Sequence, residues 1–301
     1  MDRLTVAYAV FLPIFGGLMV AVVALGIWQK RWQVYVGAGW AALLLIIFLI
    51  IGFGFKWFPD TPPDTCPDGV PCFCEAYQTG DVIQQPESVW SDLAFMAAGL
   101  FILYLAAAPN ASPANPMVDP TSWFPIMLGL IVIFMGPASM FFHASIKSWG
   151  GWFDSMSIMF WMIFSLCYSA TRLLRWPWWS FLIAWLVLVT IMGLVDIIPS
   201  ARQFGYYIFG GIWGVLDLIV VIRVISGGTI NGVTRTPGWY AAILGTFALS
   251  MFGFWVFAGG VTTSGCSPAS VFQQHPIFHI LSAFVALFSY LYFASETRSP
   301  A

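Results

Sequence analysis

Residues 122–145 read SWFPIMLGLIVIFMGPASMFFHAS, and this stretch decides what kind of fold the chain can have. It holds no Asp, Glu, Lys or Arg. Its length suits a helix crossing the hydrocarbon core of a bilayer, which takes about 20 mostly apolar residues. Working outward, eight further segments have the same character: 4–28, 36–55, 89–108, 152–171, 177–197, 205–225, 239–260 and 275–295. The breaks between them carry charge, Pro and Gly, as in Gln29-Lys30-Arg31, Pro109-Asn110-Ala111-Ser112-Pro113, Arg172-Leu173-Leu174-Arg175 and Gly227-Gly228. A tight hairpin at 146–151 holds Lys147, Gly150 and Gly151. The expected fold is an all-α polytopic membrane bundle of nine spans.

Composition supports this. Of 301 residues, 60% are hydrophobic and only 8% charged, where a soluble domain carries about a quarter charged residues. Mean hydropathy is +0.86. The 16 Trp and 10 Tyr cluster near the ends of the apolar runs, as in the aromatic belts of membrane proteins. A net charge of −2 offers nothing for nucleic acid to bind. The first apolar run is longer than the core of a cleaved signal peptide, about 7 to 15 residues, and reads as a retained span.

Nine spans put the termini on opposite sides. Arg3, Lys56, Lys147 and Arg202 fall on the Met1 side, and Lys30, Arg31, Arg172, Arg175, Arg223, Arg235 and Arg298 on the other. The positive-inside rule makes the second side cytoplasmic, together with the C-terminus. The long loop 56–87 is then extracytoplasmic. It is acidic, with Asp60, Asp64 and Asp68, and it holds Cys66, Cys72 and Cys74, while Cys266 sits in another loop on that side. Cysteines clustered there suit an oxidising compartment and disulfide staples; Cys74 with Cys266 and Cys66 with Cys72 is the expected pairing. Cys167 reads as a small apolar core residue. The chain divides into two N-terminal spans (1–55), the loop (56–87) and a seven-span unit (88–296).

Ionisable residues inside a membrane are costly, and so point to function. The chain has three His, and topology brings all three to the extracytoplasmic end of the bundle. Ser139 and His143 are one turn apart on one span, and His275 and His279 one turn apart on another. Three imidazoles leave an open fourth position on a zinc ion, the pattern of a catalytic site. Such an ion lowers the pKa of its water to about 7. Asp154, across the hairpin from His143, could accept a proton or orient a ligand. Ser139 could donate to a developing oxyanion. Against this stand plainer roles: bundle hydrogen-bonding for the His, packing for Ser139, a helix N-cap for Asp154. Haem ligation is awkward with two His on one helix face, and retinal has no lysine deep in a span. Asp196 reads as an interfacial cap.

Gly136-Pro137-Ala138-Ser139-Met140-Phe141-Phe142-His143, followed by Asp154, resembles the S-x3-H-x10-D signature of the CREST superfamily. His275-Pro276-Ile277-Phe278-His279 resembles its H-P-x-x-H signature. The alkaline ceramidase branch is the most similar, through Cys74-Glu75, Gln85-Pro86 and Ser91-Asp92-Leu93-Ala94-Phe95. Ser88 and Asp92 stand where that branch has Asn, most of its calcium segment has no counterpart, and the two N-terminal spans lie outside its core. The resemblance implies a seven-helix core with Zn2+ on His143, His275 and His279. It also implies water activation by Asp154, carbonyl binding by Ser139, and Glu75 as a Ca2+ ligand, with Asp81 or Glu87 as substitutes for the missing positions. Glu87, Ser91 and Asp92 are expected to face the cavity. Trp149, Trp152, Phe141, Phe142 and Phe278 flank the site and could line an acyl groove.

The implied reaction is hydrolysis of a ceramide-like membrane lipid into a sphingoid base and a fatty acid. The alternatives are an ester hydrolase of the GPI-remodelling type and a receptor or scaffold in which zinc only ties helices together. The acidic loop tolerates neutral ceramide better than anionic phospholipid, and the chain offers little domain outside the lipid for a receptor's partner.

Overall fold

A computed structural model describes residues 6–54, 72–78, 80–107, 115–119, 121–228, 230, 233–235, 244–245, 248–249, 267–270 and 273–298. Eight helices among them are long and apolar enough to cross a membrane: α1 (Ala7–Trp28), α2 (Trp32–Gly54), α3 (Pro86–Ala106), α4 (Phe124–Ser145), α5 (Ser148–Leu174), α6 (Trp178–Val195), α7 with its span Phe204–Arg223, and α8 (Gln274–Ala294). In full, α7 runs Pro199–Ile225. The protein is a multi-pass membrane helix bundle. These helices match eight of the nine apolar segments. The remaining one, 239–260, lies outside the described residues apart from short helical pieces at 244–245 and 248–249. A small antiparallel ribbon joins β1 (Val233–Arg235) to β2 (Thr297–Arg298), just beyond the end of α8.

Several helices begin before their hydropathy does, because their first turns are polar. Pro86 opens α3, where its missing N–H would have had no helical partner. The freed donors that follow are met by a carboxylate: Glu87 N–H donates to Glu75 Oε1 at 2.8 Å and Ser88 N–H to Glu75 Oε2 at 2.9 Å. A negative group there also complements the helix dipole. Pro276 falls in the first turn of α8, where it costs no helical bond.

Lipid is as apolar as a leucine, so membrane helices associate through close packing and polar contacts. At the crossing of α3 and α4, a Cβ on Gly99 would stand 2.6 Å from the backbone oxygen of Gly129, so only hydrogen fits. Gly136 likewise lets α4 approach the carbonyl of Asp92. The interior has two apolar clusters. One is shared by α1, α2, α3 and α4, and the other lies among α3 to α8. The N-terminal pair is docked rather than loose: Trp40 Nε1 donates to the Leu130 carbonyl at 3.2 Å, and Arg31 lies over the Tyr104 ring. α5 is central, with α4, α6 and α7 against it.

Polar residues gather at the two ends of this bundle. At one end Arg172, at the last turn of α5, pairs with Asp217 of α7 and with Glu296 after α8. Ser169 also donates to Asp217, at 3.1 Å. Asp217, an acid within an apolar span, thereby has its partners. Asn115 donates to the carbonyls of Phe293 and Glu296, at 2.9 and 3.0 Å, and so closes the end of α8. At the other end lie the three histidines.

Candidate metal centre

Pro137 cannot donate to the carbonyl one turn before it, so the α4 ladder is interrupted between Gly136 and the turn that carries His143. His143 sits two residues from the end of α4, while His275 and His279 occupy the first turns of α8. All three are buried, and their ligand atoms lie within 4.8 Å of one another. Among the described residues this is the one group of His, Cys, Asp and Glu able to hold a metal ion.

The hydrogen bonds behind the rings decide which nitrogens face the centre. His143 Nδ1 lies 2.7 Å from Gln85 Oε1, and the Gln85 N–H donates to the His143 carbonyl at 3.0 Å. Gln85 Nε2 in turn donates to the Glu75 carbonyl at 2.9 Å. With Gln85 Oε1 accepting from Nδ1–H, the lone pair of His143 is on Nε2. Behind His279, Nδ1 lies 3.0 Å from Asp92 Oδ1 and 2.9 Å from Ser91 Oγ. Ser91 donates its own proton to the Ser88 carbonyl at 2.8 Å, so it accepts from His279. The His279 lone pair is therefore also on Nε2. Carboxylates and carbonyls behind a histidine in this way fix its tautomer and raise its basicity as a ligand. His275 Nε2 lies 3.1 Å from His143 Nε2. Two ligands of one tetrahedral zinc, each about 2.0–2.1 Å from it, stand about 3.3 Å apart. The residues fit a metal ion of zinc's size and preference.

The His275 ring is sandwiched between Phe73, centroids 4.0 Å apart, and Phe278, centroids 5.4 Å apart. Phe73 and Cys74 hold left-handed backbone, with φ of 55° and 68°, uncommon outside glycine and typical of functional segments. Cys74 is disulfide-bonded; among the residues whose side chains are described, Cys167 is the free cysteine, buried in the core.

A cavity of about 150 Å3 opens beside the trio, and its wall includes His275, His279, Asp154, Ser139, Phe278 and Tyr206. Asp154 and Ser139 thus share the space with the ligands, as the sequence suggested. Ser139 Oγ is near enough to the Asp92 carboxylate to interact with it, but no well-aligned hydrogen bond engages this buried hydroxyl.

Other expectations fall elsewhere. Ser91 and Asp92 stand behind His279 rather than on the cavity wall. Glu87 is buried in the first turn of α3. Glu75 is the cap of α3, a structural task that engages both its oxygens. Of the five aromatics expected to form a groove, Phe278 lines the cavity; Phe142 packs on Phe73, Phe141 on Trp149, and Trp152 Nε1 donates to the Gly193 carbonyl at 3.0 Å. Asp196 closes α6, as expected of a cap, and is fully buried within the protein. Sequence reasoning missed Phe73, and it noted Gln85 only within the Gln85-Pro86 motif, without its place behind His143.

No family model matches the chain, and no curated protein matches it.

Proposed function

We propose that the chain is a zinc-dependent membrane hydrolase of the ceramidase type, cleaving the amide of a ceramide-like lipid. The observation that carries this is the orientation of the trio: two Nδ1–H groups are tied back, and three imidazoles converge beside a cavity whose wall also includes the Asp154 carboxylate and the Ser139 hydroxyl. A purely structural zinc site has a closed set of protein ligands and no use for such a cavity. The motif resemblance points to the same chemistry.

His143, His275 and His279 would hold a zinc ion, which would supply an acidified water and polarise a carbonyl. Asp154 accepts the proton released as the water oxygen bonds to the carbonyl carbon, then passes it to the nitrogen as the C–N bond breaks. Ser139 donates to the carbonyl oxygen as charge develops there. Fatty acid and amine are the products. The cavity wall is mainly apolar, with Phe95, Met135, Ile158 and Trp161, and it reaches Tyr207, which is 53% exposed on the lipid-facing side. A two-tailed lipid can present its amide there without leaving the bilayer.

The same reading places the site at the extracytoplasmic end. β1 pairs with β2 beyond the C-terminal end of α8, whereas Gln274 begins α8 at the metal end. The two ends that the chain must join between β1 and α8 lie at opposite ends of the bundle. The run 239–260 is apolar and long enough for that crossing, and Leu244 within it packs against the core. We read this run as a ninth span, with the C-terminus on the cytoplasmic side. Ala76 N–H donates to the Pro268 carbonyl at 3.3 Å, which brings Cys74 beside the segment that follows Cys266 and favours that pairing.

The test is metal content and turnover on one purified sample. Wild type should hold one zinc per chain and cleave a fluorescent ceramide faster than a matched ester lipid. His279→Ala should lose both metal and turnover. Asp154→Asn should keep the metal and lose turnover by about 10²–10⁴-fold. Zinc with no turnover of either lipid would favour the receptor or scaffold reading.

A further inference from the structure

A second cavity, of about 250 Å3, lies between α1 and α8 and shares no residue with the first. Both helices pack on α3, which forms its floor. There Ala94, Ala97 and Ala98 put nothing larger than a methyl group in the way. Leu18 of α1 and Phe284 of α8 stand at the rim, both exposed. Every residue that lines this groove is apolar, so in a membrane it takes hydrocarbon, not water.

The groove leads towards a basic turn at the end of the bundle opposite the metal centre. Phe101, in its wall, stacks on Tyr104, with centroids 6.1 Å apart. Arg31 lies over the Tyr104 ring at 4.1 Å and donates to the Tyr104 carbonyl, and Gln29 Nε2 donates to the Tyr104 hydroxyl at 3.0 Å. Lys30 is exposed and holds left-handed backbone, with φ of 54°, where the end of a helix usually has glycine. The Arg31 N–H donates to the Gly26 carbonyl at 2.9 Å and closes the turn. No acid of the neighbouring helices answers these cations: Asp and Glu are absent from Leu4 to Pro59 and from Leu93 to Val118. A cation after a helix end does answer the dipole, but that role needs no groove beside it.

The lengths agree. From Lys30 back to Phe15, at the far end of the groove, is about 22 Å along α1 at 1.5 Å per residue. A bilayer with its headgroups is about 40–45 Å thick, so one lipid of one leaflet covers the same distance. Of the five N–H donors of a guanidinium, the Tyr104 carbonyl takes one from Arg31.

We infer that this groove and turn hold one phospholipid with a net negative headgroup, in the leaflet opposite the metal centre. Its phosphate lies at Lys30 and Arg31, and one tail lies between α1 and α8. Basic residues beside membrane helices bind such headgroups, and here the tail ties the N-terminal pair of helices to α8. The site stands apart from the hydrolase reading.

The test is native mass spectrometry of the delipidated full-length protein, titrated with dioleoyl phosphatidylglycerol or dioleoyl phosphatidylcholine. The two share their tails and differ in net charge. Wild type should retain one phosphatidylglycerol per chain and prefer it to phosphatidylcholine. Lys30→Gln should cut that preference about fivefold, the scale of one cation near an anionic headgroup, while Lys30→Arg keeps it. Ala98→Phe, which fills the floor of the groove, should lose both lipids. Thermal unfolding in detergent reports whether each variant is folded, and phosphatidylglycerol should raise the midpoint of wild type more than that of Ala98→Phe. A preference that Lys30→Gln leaves unchanged would overturn the headgroup assignment. Full retention of phosphatidylglycerol by folded Ala98→Phe would overturn the tail site. A wild-type dimer that Ala98→Phe splits would give the groove to a second copy of the chain and overturn the proposal.

Discussion

Phe73 lies flat on the imidazole of His275, with ring planes 18° apart. It comes from the segment before α3, not from the helix that carries the ligand, and a strained backbone and a disulfide at its neighbour hold it in place. The stack braces the His275 ring from a segment remote in sequence.

Phe73→Ala should therefore loosen the metal without removing a ligand. An aromatic stack is worth about 0.5–1.5 kcal/mol, so zinc affinity should fall by up to about tenfold, with Phe73→Tyr close to wild type. Competition with a fluorescent chelator measures this. Unchanged affinity in Phe73→Ala would mean that the stack only covers the site.

Asp92 stands behind His279, and on the proposed reading it acts on the metal through that ring. Asp92→Asn keeps the shape but can turn an N–H toward Nδ1, which favours the wrong tautomer. Loss of such a partner costs about 10–100-fold in metal affinity. The same chelator assay should show this drop, with the protein still folded. The sequence made Asp92 a cavity residue; a variant that binds metal normally and loses only lipid binding would return it to that role.

Arg172 stands between two carboxylates, Asp217 and Glu296, at the far end of the bundle. Arg172→Met should leave both buried without their cation and cost about 3–5 kcal/mol. Adding Asp217→Asn and Glu296→Gln should recover most of it, because neutral groups need no counter-ion. Thermal unfolding in detergent compares the three proteins. A single variant as stable as wild type would show that water reaches this cluster.

Peptide mapping under non-reducing conditions should find Cys74 joined to Cys266. A fragment linking Cys74 to Cys66 instead would mean that the Phe73 segment is held from within its own loop and not from the chain preceding α8.

The helices were legible because lipid allows so few alternatives. A run such as 122–145 has to satisfy its backbone internally, so length and apolarity nearly suffice to identify it. The three histidines were legible for a related reason: few residues there can titrate, and their spacing and parity fixed which end they share. Helix starts were less so, since Pro86 and Ser148 lie in polar turns that hydropathy does not see. The residues that stand behind the histidines were least legible. Gln85 is 58 residues from His143, and Asp92 is nearly the length of the core from His279. Which face of α3 meets the ligands depends on packing at Gly99 and Gly136, which no spacing in one segment encodes. The same holds for Arg172 and Glu296, joined across 124 residues.

His143 and His275 are 132 residues apart, and this bears on how the protein is made. A ribosome adding about 5–20 residues per second delivers α4 well before α8. Until the last helix is inserted, His143 has neither of the other two ligands, and a chain cut short anywhere before α8 can never assemble the centre. On the proposed reading, metal loading is a late event in biogenesis, restricted to chains that include α8, and bound metal would report that the last helix is in place.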